Sequence, residues 1–207
     1  MDLEQRLAAA QARMDAARAA MRGKHAADTW TELDAASAEL LEAERALAAA
    51  RNEEHAVPLA FPVAWDFGAP MPHVVMNDHK LFLIFLVRTP DPASDAAESL
   101  ALVEFTRCAS AKLGGPNDEV FHGHPLHGKG LDGYTAQLVK NSRWRAELER
   151  VNSVHSGYRP EHWLELNHYV LWFHDSTFEC LARSFTVEQH QCSISALLAE
   201  ACRRLVA

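Results

Sequence analysis

The sequence predicts an α+β protein in three parts: an N-terminal helical hairpin of coiled-coil character, a mostly antiparallel β-sheet domain arranged as a sandwich or partial barrel, and a C-terminal helix. Three observations carry this. Residues 2–55 form one alanine-rich, charged block without proline. Residues 80–88 and 163–187 are dense in aromatic and aliphatic side chains, with strand-like alternation in the second stretch. The strand-like runs follow one another without alternating long helices, which disfavours a doubly wound sheet.

Within residues 1–55, Leu3, Leu7, Ala10, Met14, Ala17 and Met21 recur at alternating spacings of four and three, an a/d seam. Gly23 is placed to end the first helix. Thr29 and Glu32 have capping-box spacing for a second helix, whose apolar stripe is Trp30, Leu33, Leu40, Leu41 and Leu47. A short Gly23–Asp28 connection makes the pair an antiparallel hairpin. Alanine along the seam lets the backbones approach but buries little area. The hairpin is therefore expected to pack on the rest of the chain or on a second copy. Residues 56–72 read as a linker, because Pro58, Pro62, Pro70 and Pro72 cannot continue a helix or sit in a central strand. Trp65 and Phe67 within it are expected to dock on the domain that follows.

From residue 73 to 207 the pattern is β-rich, ending in a helix. Lys80–Arg88 is apolar on both faces and bounded by charge, as a strand covered on both sides would be. Thr89–Ser94 reads as a loop, Leu100–Cys108 and Thr135–Lys140 as strands, Gly114–Asp118 as a turn, and Ser142–Val151 as a helix. The clearest unit is a hairpin of Trp163–His174 and Thr177–Val187 turning at Asp175-Ser176, with His168 opposite Arg183 and Trp172 opposite Glu179. One face then carries Tyr169, Leu171, Phe173, Phe178, Cys180 and Ala182, a core face. The other carries His168, Trp172, His174, Glu179 and Arg183 with Val170 and Leu181, too polar for a core and too aromatic for a solvated face. Ser193 is positioned to cap a last helix with Ile194, Leu197, Leu198, Ala201 and Leu205 on one stripe.

Composition narrows the function. At 48% hydrophobic and 23% charged, the 207-residue chain belongs with folded proteins rather than disordered ones. A net charge of -8 without a Lys/Arg run argues against nucleic acid or an anionic membrane as partner. The longest apolar run, Leu81–Val87, is too short to span a bilayer. The opening Met-Asp-Leu-Glu-Gln-Arg lacks the apolar stretch of a secretion signal. Four cysteines without CxxC pairing read as reduced thiols of a cytoplasmic protein, at least two of them buried.

The chemistry concentrates in Phe121-His122-Gly123-His124-Pro125-Leu126-His127-Gly128, where three imidazoles occupy six positions. In an extended segment His122 and His124 project to one side, and His127 reaches the same centre from a turn. His174 or His168 from the hairpin would add a third or fourth ligand, giving an open zinc or iron site. The competing expectation is a tight surface loop shaped by Gly123, Pro125, Gly128 and Gly130, its histidines solvated. Two metal-free arrangements stand beside these. Asp118 and Glu119 ahead of the loop, with His174-Asp175, offer a histidine oriented by a carboxylate for acid–base work. His168, Trp172 and Arg183 offer an aromatic, a histidine and a guanidinium to an anionic small molecule. Ser142, Ser176 and Cys180 are available nucleophiles, but none sits in a nucleophile elbow.

Three functional readings follow. The chain is a metal-binding protein or metal-dependent enzyme acting on a small polar molecule; or it binds or converts a small anionic molecule without metal; or it is an interaction module whose helical arm and acidic surface engage a protein partner or a second copy.

Overall fold

The computed structural model describes residues 2–22, 27–88 and 99–206. Gly23, most of its connection to Asp28 and the loop expected over Thr89–Ser94 lie outside these residues. Helices α1 (Leu3–Met21) and α2 (Ala27–Ala50) form the expected hairpin. Asp2 and Gln5 start α1 with a reciprocal capping box. Ala10, Met14 and Ala17 of α1 pack on Ala36, Leu40 and Ala43 of α2, with Leu7 and Leu33 at the margin. Arg13 ties the flanks to Glu32 and Glu39. Thr29 and Glu32 therefore lie inside α2 rather than capping it, and Trp30 stands outside the seam, 53% exposed.

The β elements follow in order: β1 (His55–Pro58), β2 (His73–Met76), β3 (Lys80–Leu86), β4 (Ser99–Thr106) and β5 (Ser110–Gly114); a 3₁₀ helix (Asp118–Gly123); β6 (Ala136–Lys140); α3 (Arg143–Asn152) and α4 (Pro160–Leu164); β7 (Asn167–Trp172), β8 (Thr177–Ala182) and β9 (Ser184–Gln191); and α5 (Ile194–Val206). One sheet runs β1-β6-β7-β8-β5 and the other β2-β3-β4-β9. All their pairings are antiparallel. The first sheet thus recruits residues 55–58 from the boundary of the proline-rich stretch. Two short connections switch sheets: residues 107–109 carry β4 into β5, and Arg183 carries β8 into β9.

The sheets face each other across one aromatic core. Leu81, Leu83, Phe85, Val103 and Phe105 from one meet Tyr169, Leu171, Phe173, Phe178 and Cys180 from the other. Burying each large side chain contributes about 1.5–3 kcal/mol. Trp65 of the proline-rich stretch closes one end, 3% exposed and 5.0 Å from the Phe173 ring, while Phe67 stays exposed. α5 covers the outer face of the four-stranded sheet with Leu197 and Ala201 on Phe82, Ile84, Leu100 and Leu102. That cover explains why Leu81–Phe85 is buried on both faces. On the outer face of the five-stranded sheet, Leu126 and Leu131 of the histidine-rich loop pack on Ala56, Val139, Val170 and Trp172. All four cysteines are free thiols, with Cys108 and Cys180 buried. Among the described residues no helix is long and apolar enough to cross a membrane.

The hairpin departs from expectation in four ways. Pro160 starts α4, so Trp163 is helical and the strand begins only at Asn167. His168 opposes Leu181 and Trp172 opposes Thr177, two residues from the expected register. The turn lies one residue earlier than expected: Phe173 N–H donates to Ser176 O at 2.9 Å and encloses His174-Asp175 rather than Asp175-Ser176. A shift of two keeps the faces, so the core face is the expected one. Finally, the second arm breaks at Arg183, where the chain changes sheets.

α2 docks on the histidine-rich loop through Gly130. Its N–H donates to Glu44 Oε2 at 3.0 Å, and its carbonyl accepts from Arg45 Nη2 at 2.9 Å. Arg45 Nε also donates to Ala56 O at 3.2 Å. Gly130 has φ +82°, and a Cβ there would meet Arg45 and lie 2.7 Å from Ala56 O. Gly130→Ala is expected to cost about 2 kcal/mol in urea unfolding. Gly123→Ala, where a Cβ meets nothing within 4 Å, should stay within about 0.5 kcal/mol of the parent.

Candidate functional site

A cleft of about 660 Å³ opens on the outer face of the five-stranded sheet, between α3 and the segment from Pro116 to Leu126. Its floor is a row of polar side chains crossing the sheet. Lys112 on β5 lies directly opposite Glu179 on β8, and His168 on β7 is Glu179's diagonal neighbour. His168 Nε2 sits 2.9 Å from Glu179 Oε2, and Lys112 Nζ 3.6 Å from Oε1. Alternation places this row outward because Tyr169, Phe178 and Cys180 must point inward.

Behind His168 stands Ser142, the N-cap of α3. Its Oγ accepts the Arg145 N–H at 3.0 Å and lies 2.8 Å from His168 Nδ1. One proton assignment satisfies all three side chains: the serine hydroxyl donates to Nδ1, and Nε2–H donates to the carboxylate. Ser142 is buried and does not line the cleft, so it orients His168 and is not presented as a nucleophile. Burial pushes the Glu179 carboxyl up, but the His168 hydrogen bond and the nearby Lys112 ammonium help outweigh it and hold Glu179 below the usual carboxylate range.

The walls combine apolar and charged groups. Lys112 Nζ lies 3.7 Å from the centroid of the Trp144 ring. Glu54 accepts the Arg143 N–H at the start of α3, at 2.7 Å. The Arg143 side chain also lines the cleft and makes no ion pair among the described residues. His124 faces them from the loop. Burial pushes its imidazole below the ordinary histidine range against the pull of Glu179 and Glu54, so the ring is neutral at neutral pH. Its Nδ1 accepts the Leu126 N–H at 3.2 Å, which puts the remaining proton on Nε2. His124 thus offers a ligand an uncharged N–H donor.

The structure scatters the histidines that sequence spacing grouped. Residues 118–123 form two short 3₁₀ turns that meet at a kink at Val120, not an extended segment, so His122 and His124 do not share a side. His122 Nδ1 instead meets His127 Nε2 at 2.9 Å, both rings exposed. His124 turns to the cleft and lies edge-on to Trp172, ring centroids 5.4 Å apart. Among the described residues no group of three or more His, Cys, Asp or Glu is placed to hold a metal ion.

His174 belongs to a second, exposed cluster. Its Nδ1 is 2.9 Å from Asp175 Oδ1 and its Nε2 3.8 Å from Asp118 Oδ2, while Tyr134 donates to that same oxygen at 2.6 Å. The Asp175 hydrogen bond raises the His174 pKa, and the Tyr134 bond lowers that of Asp118. Burial and the Asp118 bond push the Tyr134 hydroxyl up to about 12. Asp118, His174 and Asp175 therefore do meet, with Glu119 exposed beside them, but none of the four lines the cleft. Trp172 is fully buried beneath Phe121 and His124 and does not line it either. Arg183 is at the sheet-switching corner beside Glu165, not opposite His168.

Lys112, Arg143, Trp144, Glu54 and Glu147 complete the cleft and were not singled out by sequence. Only Lys112 had a usable signal, a charge beside the Gly114 turn; its partner strand was legible, but the strand carrying Lys112 and its pairing with β8 were not. No family model matches the chain, and no curated protein or solved structure resembles it at a significant level.

Two outcomes test this geometry. Ser142→Ala removes the helix cap and strands His168 Nδ1, and should cost about 2 kcal/mol in urea unfolding. In an NMR pH titration, His124 should titrate below the ordinary histidine value of about 6.5 and His174 above it. The stabilities they confer run oppositely. That of His124 is lost as pH falls below about 6.5, because the unfolded chain takes up the proton first. That of His174 is lost as pH rises through its raised value. Asp175→Asn should return His174 toward 6.5 and leave His124 unmoved.

Proposed function

We propose that the protein binds a small polar molecule bearing an anionic group in this cleft, without a metal. The observation that carries the reading is the arrangement of His168, locked between Ser142 and Glu179, beneath a cleft whose opposite wall offers a neutral His124 donor. The cleft volume lies within the range of small-molecule sites. Arg143, free of an ion pair among the described residues, supplies positive charge to an oxyanion; Lys112 is shared with Glu179, Glu54 is engaged by the Arg143 N–H, and Glu147 is the remaining carboxylate of the lining. Val120, Pro125, Leu126 and Trp144 supply apolar wall for the rest of the ligand. Glu179, ionised and fixed by His168, and His124 are the groups positioned to exchange a proton with a bound molecule.

Of the expected zinc or iron ligands His122, His124, His127 and His174, the pair His122 and His127 comes together, and two nitrogens fall short of the three protein ligands of a catalytic site. The interaction reading rests on the helical arm and the acidic surface, and Trp30 is a large apolar side chain that the arm leaves exposed.

A panel of small carboxylates, phenylacetate included, titrated against exhaustively chelated protein tests the cleft. Saturable movement of the His124 Cε1–H resonance is expected, weakened at least about tenfold in Lys112→Ala/Arg143→Ala. Movement that appears only after zinc or iron is restored would return the metal reading to first place. No movement with any carboxylate would remove the anion assignment.

A further inference from the structure

Both short sheet-switching connections carry an arginine, and the topology brings the two together. Arg107 follows β4 as the chain leaves the four-stranded sheet, and Arg183 follows β8 as it returns. The corners are joined directly: Arg183 N–H donates to Thr106 O at 3.0 Å. The Arg183 carbonyl is held by Asn167 Nδ2 at 3.0 Å and faces the Tyr169 hydroxyl at 3.4 Å. Arg107 sits in the left-handed region at φ +50°, an uncommon conformation for a side-chain-bearing residue. The backbone beneath both guanidiniums is thus fixed, while the side chains are 64% and 48% exposed.

Two like charges on fixed neighbouring corners repel unless an anion lies between them. Among the described residues a single carboxylate, Glu165, lines the pocket with them, and it is held loosely. Its Oε2 lies 3.4 Å from Arg107 Nη1 and 3.7 Å from Arg183 Nε. Both exceed the 2.7–2.9 Å of a charge-assisted hydrogen bond (about 0.5 Å or more too long), so the guanidinium donors are not saturated. The three groups line a pocket of about 280 Å³ together with Trp163 and His162 of α4. One carboxylate against two guanidiniums leaves the pocket locally positive on a chain whose net charge is -8.

We propose that this corner pocket is a second binding site, for an oxyanion carried on a planar apolar ring. Arg107 and Arg183 grip the oxyanion, displacing or sharing Glu165, and the ring lies against Trp163. The site shares no lining residue with the cleft and does not rest on the function proposed for it.

Titration with benzoate and, separately, with inorganic phosphate tests the site on the full chain. The readout is the Trp163 indole N–H resonance, identified by its loss in Trp163→Phe. Benzoate should move it saturably, and phosphate should bind more weakly. Arg107→Gln/Arg183→Gln should lose at least about tenfold in benzoate affinity with an otherwise unchanged amide spectrum. Glu165→Gln should gain about threefold, because it removes the competing carboxylate; a purely structural trio would show no gain. Failure of both probes to move Trp163, or equal benzoate affinity in the double variant, overturns the site. Phosphate binding as tightly as benzoate overturns the role given to the ring.

Discussion

The aromatic layer between the two sheets is the interaction on which the rest depends. Phe85, Phe105, Phe173 and Phe178 with Tyr169 and Trp65 must point inward to fill it. Because a strand alternates with period two, that demand sets what faces outward: His168, Val170 and Trp172 on β7, Glu179 and Leu181 on β8. The cleft chemistry is therefore the reverse side of the core. A register slip by one residue would bury Glu179 and expose Phe178, so the position of the polar row is guarded by the burial of the layer behind it.

An outward row still needs partners, and the fold supplies them from three elements. β5 brings Lys112 opposite Glu179, α3 brings Ser142 behind His168, and the histidine-rich loop brings His124 across the gap. Ser142 serves two masters, capping α3 through its lone pair and holding His168 through its hydroxyl. The imidazole cannot rotate without stranding either the serine or the carboxylate. Such fully satisfied networks fix geometry, because a half-satisfied buried group costs more than an apolar substitute.

What could be read from sequence was what short-range periodicity controls. The α1 seam, the two-faced burial of β3, the core face of β7 and β8 and the stripe of α5 all follow from spacing, and the structure has each. What could not be read depended on partners distant in sequence. Lys112 and Glu179 are 67 residues apart and meet only because β5 pairs with β8. Arg107 and Arg183 meet only because both sheet switches occur side by side. The histidine loop misled for a local reason. His122-Gly123-His124 puts its imidazoles on one side only in extended backbone, and Asp118–Gly123 is a pair of 3₁₀ turns kinked at Val120. The face holding His168 and Glu179 was legible as unusual, but their pairing required the true register.

The helical arm is tied to this site rather than hung beside it. Glu44 and Arg45 grip Gly130 from α2, and Arg45 also holds Ala56 of β1. Beyond Gly130, Leu131 packs with Leu126 over Trp172, and the Leu126 N–H fixes the tautomer of His124. A continuous line of contacts thus runs from the arm to the cleft donor. Alanine-rich packing between α1 and α2 buries little on its own, so the arm gains its fixed position from the same glycine that anchors the loop. The orientation of His124 and the docking of the hairpin are two consequences of one close approach, possible only where no Cβ intervenes.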